Sequence, residues 1–115
     1  MINFACTGFE IDEVVKCSLG LSRAEYKLFS FFIKHSEESF STEELSVKLK
    51  LEKSTIQRGV KKLHEKDLLF RSQINQSVGG YLFKYRIKNK AEIKKVVHEI
   101  LDKWNDKFKD ELKKW

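Results

Sequence analysis

Three features of the chain predict an α+β fold that is mainly helical and carries one small β-hairpin. Two Ser-x-x-Glu sequences, Ser22–Glu25 and Ser41–Glu44, each open a segment whose apolar residues recur at helical spacing, which is how reciprocal capping boxes start helices. From Tyr81 to Ile87 the period changes to two, with Tyr81, Phe83, Tyr85 and Ile87 alternating with Leu82, Lys84 and Arg86, as in a β-strand with one packed face. Ile93, Val97, Ile100, Trp104, Phe108 and Leu112 then step by 4, 3, 4, 4 and 4, a single helical stripe. A length of 115 residues fits one domain, and 41% hydrophobic residues can bury a modest core but no large enclosed pocket.

The elements follow in order. Residues 1–10 are expected to form a flexible N-terminal segment. A short amphipathic helix runs from about Ile11 to Ser18, with Ile11, Val14, Val15 and Leu19 for packing and Gly20 as its stop. Ser22 caps the next helix, whose Tyr26, Leu28, Phe29, Phe32 and Ile33 form the centre of the expected core. Ser41 caps a third helix with Leu45 and Leu49 on its apolar edge. After a tight turn at Leu51, Glu52 is placed to cap a fourth helix beginning near Lys53, where its charge also suits the helix dipole. Gly59 lowers the propensity of that helix by roughly 1 kcal/mol against alanine, and close approach to a neighbouring helix would explain its presence. Leu68 to Ile74 and Tyr81 to Ile87 flank the turn residues Asn75-Gln76-Ser77-Val78-Gly79-Gly80, which predicts a hairpin. Helices followed by a hairpin define a winged helix-turn-helix over residues 11–88, with a C-terminal helix over 89–115.

So small a body cannot bury the whole apolar face of that last helix lengthwise. A second copy is the expected cover, which makes 89–115 a dimerisation helix with Ile93, Val97, Ile100, Trp104, Phe108 and Leu112 in the interface. The alternative is that the helix folds back on the chain's own first helices. Lysines and acids interleave on its outer face, which argues against a membrane-surface helix.

Charge is distributed unevenly. Residues 1–52 carry six Lys/Arg against nine Asp/Glu, residues 53–90 ten against two, and residues 91–115 seven against six, for a net charge of +6. The positive excess thus begins at the fourth helix, and a focused basic patch attracts a polyanion. Within that helix Ile56, Val60 and Leu63 make the inward stripe, while Lys53, Ser54, Gln57, Arg58 and Lys61 lie away from it. Nucleic-acid recognition is the function this pattern indicates.

Other chemistries find little footing. His35, His64 and His98 fall on different helices without a ligand pattern, and Gly79-Gly80 does not sit at a strand-to-helix junction that could cradle phosphates. The chain is therefore expected to be no enzyme and to bind no metal and no cofactor. Cys6 and Cys17 match no common zinc spacing. They read as ordinary thiols of a reducing cytoplasm or, alternatively, as a redox-sensing pair, which would require their sulfurs to lie within bonding reach. No apolar run reaches bilayer-spanning length and no signal-peptide pattern opens the chain, so a cytoplasmic protein with no membrane partner is expected.

Several of these segments resemble a known family. Leu19-Gly20-Leu21-Ser22, with Glu25 and Tyr26, resembles the start of the winged-helix domain of archaeal TrmB-like regulators. Lys53-Ser54-Thr55-Ile56-Gln57-Arg58 with Lys62-Leu63 is similar to their recognition helix, and Gly79-Gly80-Tyr81 with Tyr85 and Arg86 is similar to their wing and second strand. The resemblance covers roughly residues 10–115, and MarR-like regulators share much of the pattern. It implies a small stand-alone transcriptional regulator. Sugar sensing, which belongs to a further C-terminal domain in part of that family, is not implied.

The expected mechanism is that of a homodimer placing two recognition helices in successive major grooves of double-stranded DNA, about 34 Å apart, on a pseudo-palindromic operator. Ser54, Gln57 and Arg58 are the candidates for base edges, since Gln can pair with adenine and Arg with guanine in bidentate fashion. Thr55 is suited to a thymine methyl or a phosphate, and Thr42 to a phosphate at a helix start. Lys53, Lys61 and Lys62 are assigned to phosphate neutralisation. The wing should reach the flanking backbone through Gln73, Asn75, Gln76, Ser77 and Lys84, with Arg71 and Arg86 either holding phosphate or bracing the strands. A protein–protein module of a transcription assembly and an RNA-binding protein are the competing readings, and the residues identify no small-molecule effector.

Overall fold

The computed structural model describes residues 2–4 and 7–115, so Cys6, and with it any pairing to Cys17, lies outside the described residues. The chain runs β1 (Ile2–Phe4), β2 (Thr7–Phe9), α1 (Ile11–Ser18), α2 (Arg23–Lys34), α3 (Thr42–Leu49), α4 (Lys53–Glu65), β3 (Leu69–Asn75), β4 (Tyr81–Ile87) and α5 (Lys90–Lys114). Within the N-terminal segment the described residues form two short strands, Ile2–Phe4 and Thr7–Phe9. β1 and β2 pair antiparallel with Ile2 opposite Phe9, in strands of three residues that are too short to show a period.

Both capping boxes form. The Ser22 hydroxyl accepts from the Glu25 N–H at 3.2 Å while the Glu25 carboxylate accepts from the Ser22 N–H at 2.8 Å. Ser41 and Glu44 repeat the exchange at 3.2 Å in each direction. Glu52 occupies the N-cap position of α4, but its side chain makes no capping hydrogen bond, so its expected role there is reduced to charge. Between α3 and α4 the turn is closed by Lys50 in the left-handed region at φ 54. The Ser46 hydroxyl donates to the Leu51 carbonyl at 2.6 Å, and Lys27 Nζ donates to the Leu49 carbonyl at 3.2 Å. A carbonyl left free at the end of α3 is thereby satisfied from α2.

The core is one cluster centred on Phe32, Leu19, Leu28, Leu45, Ile56, Leu63, Leu68 and Val60, all almost fully buried. Helices α2 and α3 pack against α4. Gly59 sits where α4 meets α2: a β-carbon there would lie 2.8 Å from Leu28 Cδ2, which supplies the close approach expected for this residue. The hairpin β3–β4 pairs Leu69 with Ile87 at its base and Asn75 with Tyr81 at its tip. Phe40, just before α3, bridges to Tyr85 through two 2.8 Å backbone hydrogen bonds. The wing is thus fastened to the helical body along its second strand.

Helix α5 divides into two parts. Ile93 is buried, and Val96, Val97 and Ile100 pack partly against the core, with α1 as a neighbouring element. Beyond them Leu101, Trp104, Phe108, Leu112 and Trp115 are exposed. The stripe that looks continuous in sequence is therefore covered from within over the first three turns of α5 and uncovered thereafter. Of the six residues expected to meet a second copy, Ile93, Val97 and Ile100 are engaged inside the chain. No helix among the described residues is long and apolar enough to cross a membrane.

Candidate nucleic-acid interface

Helix α4 has the two faces that its sequence predicts. Ile56, Gly59, Val60 and Leu63 are buried, while Lys53, Ser54, Gln57, Arg58 and Lys61 are exposed and Thr55 is half-buried. Among the described residues no ion pair and no side-chain hydrogen bond engages Ser54, Gln57, Arg58 or Lys61. Lys53 meets Glu43 at 3.2 Å, an exposed pair that a phosphate can displace at little cost. The first turn of the helix holds no acidic residue, and Glu52 at the N-cap position sets a carboxylate beside its positive end.

Lys62 does not join this surface. Its ammonium donates to the Gly20 carbonyl and to Glu25 Oε1, the latter at 3.1 Å. A lysine two turns along α4 is rotated toward the loop between α1 and α2, where it ties the helix to its neighbours. In this conformation its charge is answered within the chain rather than presented beside Lys61. Burial pushes the Glu25 carboxyl up, but the Ser22 N–H, Lys62 and the Ser22 hydroxyl together outweigh it and hold the group below its ordinary value of 4.5.

Thr42 opens α3 and is half-buried beside α4. Lys84 lies 3.4 Å from Glu44, so this wing residue reaches back to the start of α3 and its charge is partly answered. The Ser41 N–H, set against a smaller opposing effect of burial and joined by the Ser41 hydroxyl and Lys84, holds Glu44 below 4.5. Gln73, Asn75, Gln76 and Ser77 are all exposed along the wing and its turn. The turn is closed by Gly79 and Gly80 at φ 93 and φ 79, and it presents Val78 at 93% exposure.

Two arginines expected to flank the wing both lie over aromatic rings. Arg71 sits 4.5 Å from the centroid of Phe83, and Arg86 5.3 Å from that of Phe70, close enough for cation–π attraction in each case. Between α4 and the wing lies an open trough of about 430 Å³, lined on one side by Gln57, Lys61 and His64 and on the other by Arg71, Tyr81 and Phe83. His64, Tyr81 and Phe83 are not assigned to the interface by the sequence; for Tyr81 and Phe83 the alternation along β4 is the available signal. Among the described residues Cys17 is a free, exposed thiol. Among the described residues no cluster of His, Cys, Asp or Glu could hold a metal ion.

Comparison with known proteins places this geometry. The family described as the DnaD N-terminal domain matches residues 9–108. A solved protein of Methanosarcina mazei Go1, described as a possible transcriptional regulator, is 43% identical with a TM-score of 0.88, covering 100% of this chain and 96% of that one. The protein MJ1503 of Methanocaldococcus jannaschii is 24% identical over 115 residues, which cover 100% of this chain and 83% of that protein. MepR of S. aureus bound to an oligodeoxyribonucleotide superposes with a TM-score of 0.56 at 10% identity, covering 86% of this chain and 71% of MepR. At that identity the likeness to MepR establishes a shared winged-helix fold.

Proposed function

The chain belongs to the DnaD N-terminal domain family, and on that footing we propose that it is a sequence-specific, double-stranded-DNA-binding transcriptional regulator, active as a homodimer and without enzymatic chemistry. The observation that carries this reading is the uncommitted outer face of α4, where Ser54, Gln57, Arg58 and Lys61 stand exposed next to a wing. A polar helix surface alone would be unremarkable. Here it coincides with ten basic against two acidic residues over positions 53–90, which concentrates attraction for phosphate where the donors are. The protein of Methanosarcina mazei described as a possible transcriptional regulator, at 43% identity, and the oligodeoxyribonucleotide bound to MepR support the same choice of partner.

In this reading Gln57 and Arg58 read base edges, Ser54 and Thr55 supplement them, and Lys53, Lys61 and Thr42 hold phosphates. Gln73, Asn75, Gln76 and Ser77 settle the wing on the flanking backbone. Lys84 contributes after exchanging Glu44 for phosphate. The exposed half of α5, from Leu101 to Trp115, pairs two copies and sets two α4 helices on one pseudo-palindromic site. The protein is placed in the cytoplasm, as an archaeal-type regulator similar to the TrmB-like group.

Selection from a pool of random duplexes tests the whole reading. An enriched palindrome is expected, with binding that weakens with salt at a log–log slope of roughly −5 to −7 if six to eight phosphates are neutralised per dimer. A pool that stays random, at any salt concentration, rejects it.

A further inference from the structure

The trough between α4 and the wing contains features that duplex reading by α4 leaves unused. Tyr81, Phe83 and Tyr85 occupy alternate positions of β4, so their rings share one face of the wing at intervals of about 6.6 Å. Phe83 and Tyr85 also brace the wing: Arg71 covers Phe83 at 4.5 Å, and His64 meets Tyr85 edge-on at 6.3 Å. Tyr81 meets Phe83 with ring centroids 5.1 Å apart and, among the described residues, no further ring or cation. It is 60% exposed and meets Phe83 at an interplanar angle of 62°, so the two rings do not stack on each other.

An exposed ring beside a trough whose charged lining is Lys61, Arg71 and Glu65, two cations against one carboxylate, suits one kind of ligand. In a duplex the faces of the bases are already stacked, and a side chain meets edges and phosphates. An unpaired base presents a free π-face, which aromatic rings and guanidinium planes can stack against irrespective of sequence. Lys61 and Arg71, on opposite walls, supply charge for the backbone that accompanies such a base.

We propose that this trough binds unpaired bases of a single-stranded nucleic acid, with Tyr81 as the stacking platform and Arg71 and Lys61 holding the backbone. The proposal goes beyond the duplex reading and turns on different residues, Tyr81 and Arg71, although Lys61 serves both. In a duplex-bound protein the same trough would take a base freed where the strands open.

The test compares labelled strands by fluorescence anisotropy on the full chain. The probes are a thymidine oligomer of about 15 nucleotides, an abasic strand of equal length and charge, a uridine oligomer and the selected duplex. Stacking predicts that the thymidine or the uridine oligomer binds at least about fivefold more tightly than the abasic strand; whichever of the two is preferred identifies the polymer. Tyr81→Ala, at an exposed strand end, should remove that advantage, and Tyr81→Phe should retain it. Equal binding of base-bearing and abasic strands, or an advantage that survives Tyr81→Ala, overturns the proposal. Duplex binding without any base-dependent single-strand binding overturns this proposal alone. Single-strand binding with no selected duplex leaves it standing and removes the regulator reading.

Discussion

Ser41 shows how much one residue can organise. It is 3% exposed, yet its polarity is spent on both sides: its hydroxyl takes the Glu44 N–H and its own N–H goes to the Glu44 carboxylate. The same carboxylate sits 3.4 Å from Lys84, so the start of α3, the loop before it and the wing share one charge. The Ser41 N–H, with help from the Ser41 hydroxyl and Lys84, lowers the Glu44 carboxyl against an opposing effect of burial. A carboxyl that is more acidic folded than unfolded stabilises the fold above its unfolded value, and that contribution is lost as the pH falls through its folded value. Glu44→Gln should therefore lower stability at pH 7, by at most about 1 kcal/mol because the ion pair is partly solvated. The gap between the two proteins should close as the pH falls below 4.5. Thermal melts of both proteins from neutral to acid pH check this, and a gap that stays constant would show that the charge of Glu44 is immaterial.

At the scale of the element, α4 assigns opposite duties to adjacent lysines. Lys61 is exposed and uncommitted, whereas Lys62 is held by the Gly20 carbonyl and Glu25. Lys61→Ala should weaken binding to all duplexes alike and reduce the steepness of the salt slope by about 1 per protomer, or about 2 for the dimer. Arg58→Ala should cost about 1–3 kcal/mol on the selected site and relax preference at one position of each half-site. Lys62→Ala should leave the salt slope unchanged and lower the melting temperature instead. Titrations of the three variants at several salt concentrations separate these outcomes, and a slope change in Lys62→Ala would return that residue to the phosphate surface. The contrast also marks what the sequence could disclose. Capping boxes, the stripe of Ile56, Val60 and Leu63 and the alternation of β4 are local, because neighbours a few positions apart determine them. The partners of Lys62 lie 37 and 42 residues away, and no local pattern points to them. The same holds for the trough, whose wing wall is fastened by the bridge between Phe40 and Tyr85, residues far apart in the sequence. For β1 and β2 the strands were too short to carry a period, and at Glu52 the position of a cap was legible but not whether its side chain would turn to use it.

The whole molecule is longer than its core requires. Its radius of gyration is 17.0 Å and its extents are 61 × 26 × 24 Å, whereas a compact chain of this length would have a radius of about 13 Å. The excess comes from α5, whose second half leaves the body with its apolar stripe uncovered. Trp104 and Phe108 lie ring on ring, 5.3 Å apart with an interplanar angle of 7°, and are 61% and 48% exposed, with Leu112 at 50% and Trp115 at 100%. Together they make a contiguous apolar strip of the kind that marks an interaction site. Lysines and acids of both signs surround it, which suits self-association in water better than adsorption to an anionic membrane. In the proposed dimer the first turns of α5 anchor each helix to its own body through Ile93, and the distal turns join the two copies, so the spacing of the two α4 helices is transmitted through a rigid segment. The double variant Trp104→Glu, Phe108→Glu should then sediment as a monomer with its helical circular dichroism intact, because neither side chain belongs to the core. It should also lose the affinity advantage of a duplex with two half-sites over a duplex with one. A wild-type protein that sediments as a monomer while discriminating fully between those duplexes would place the pairing surface elsewhere than on α5.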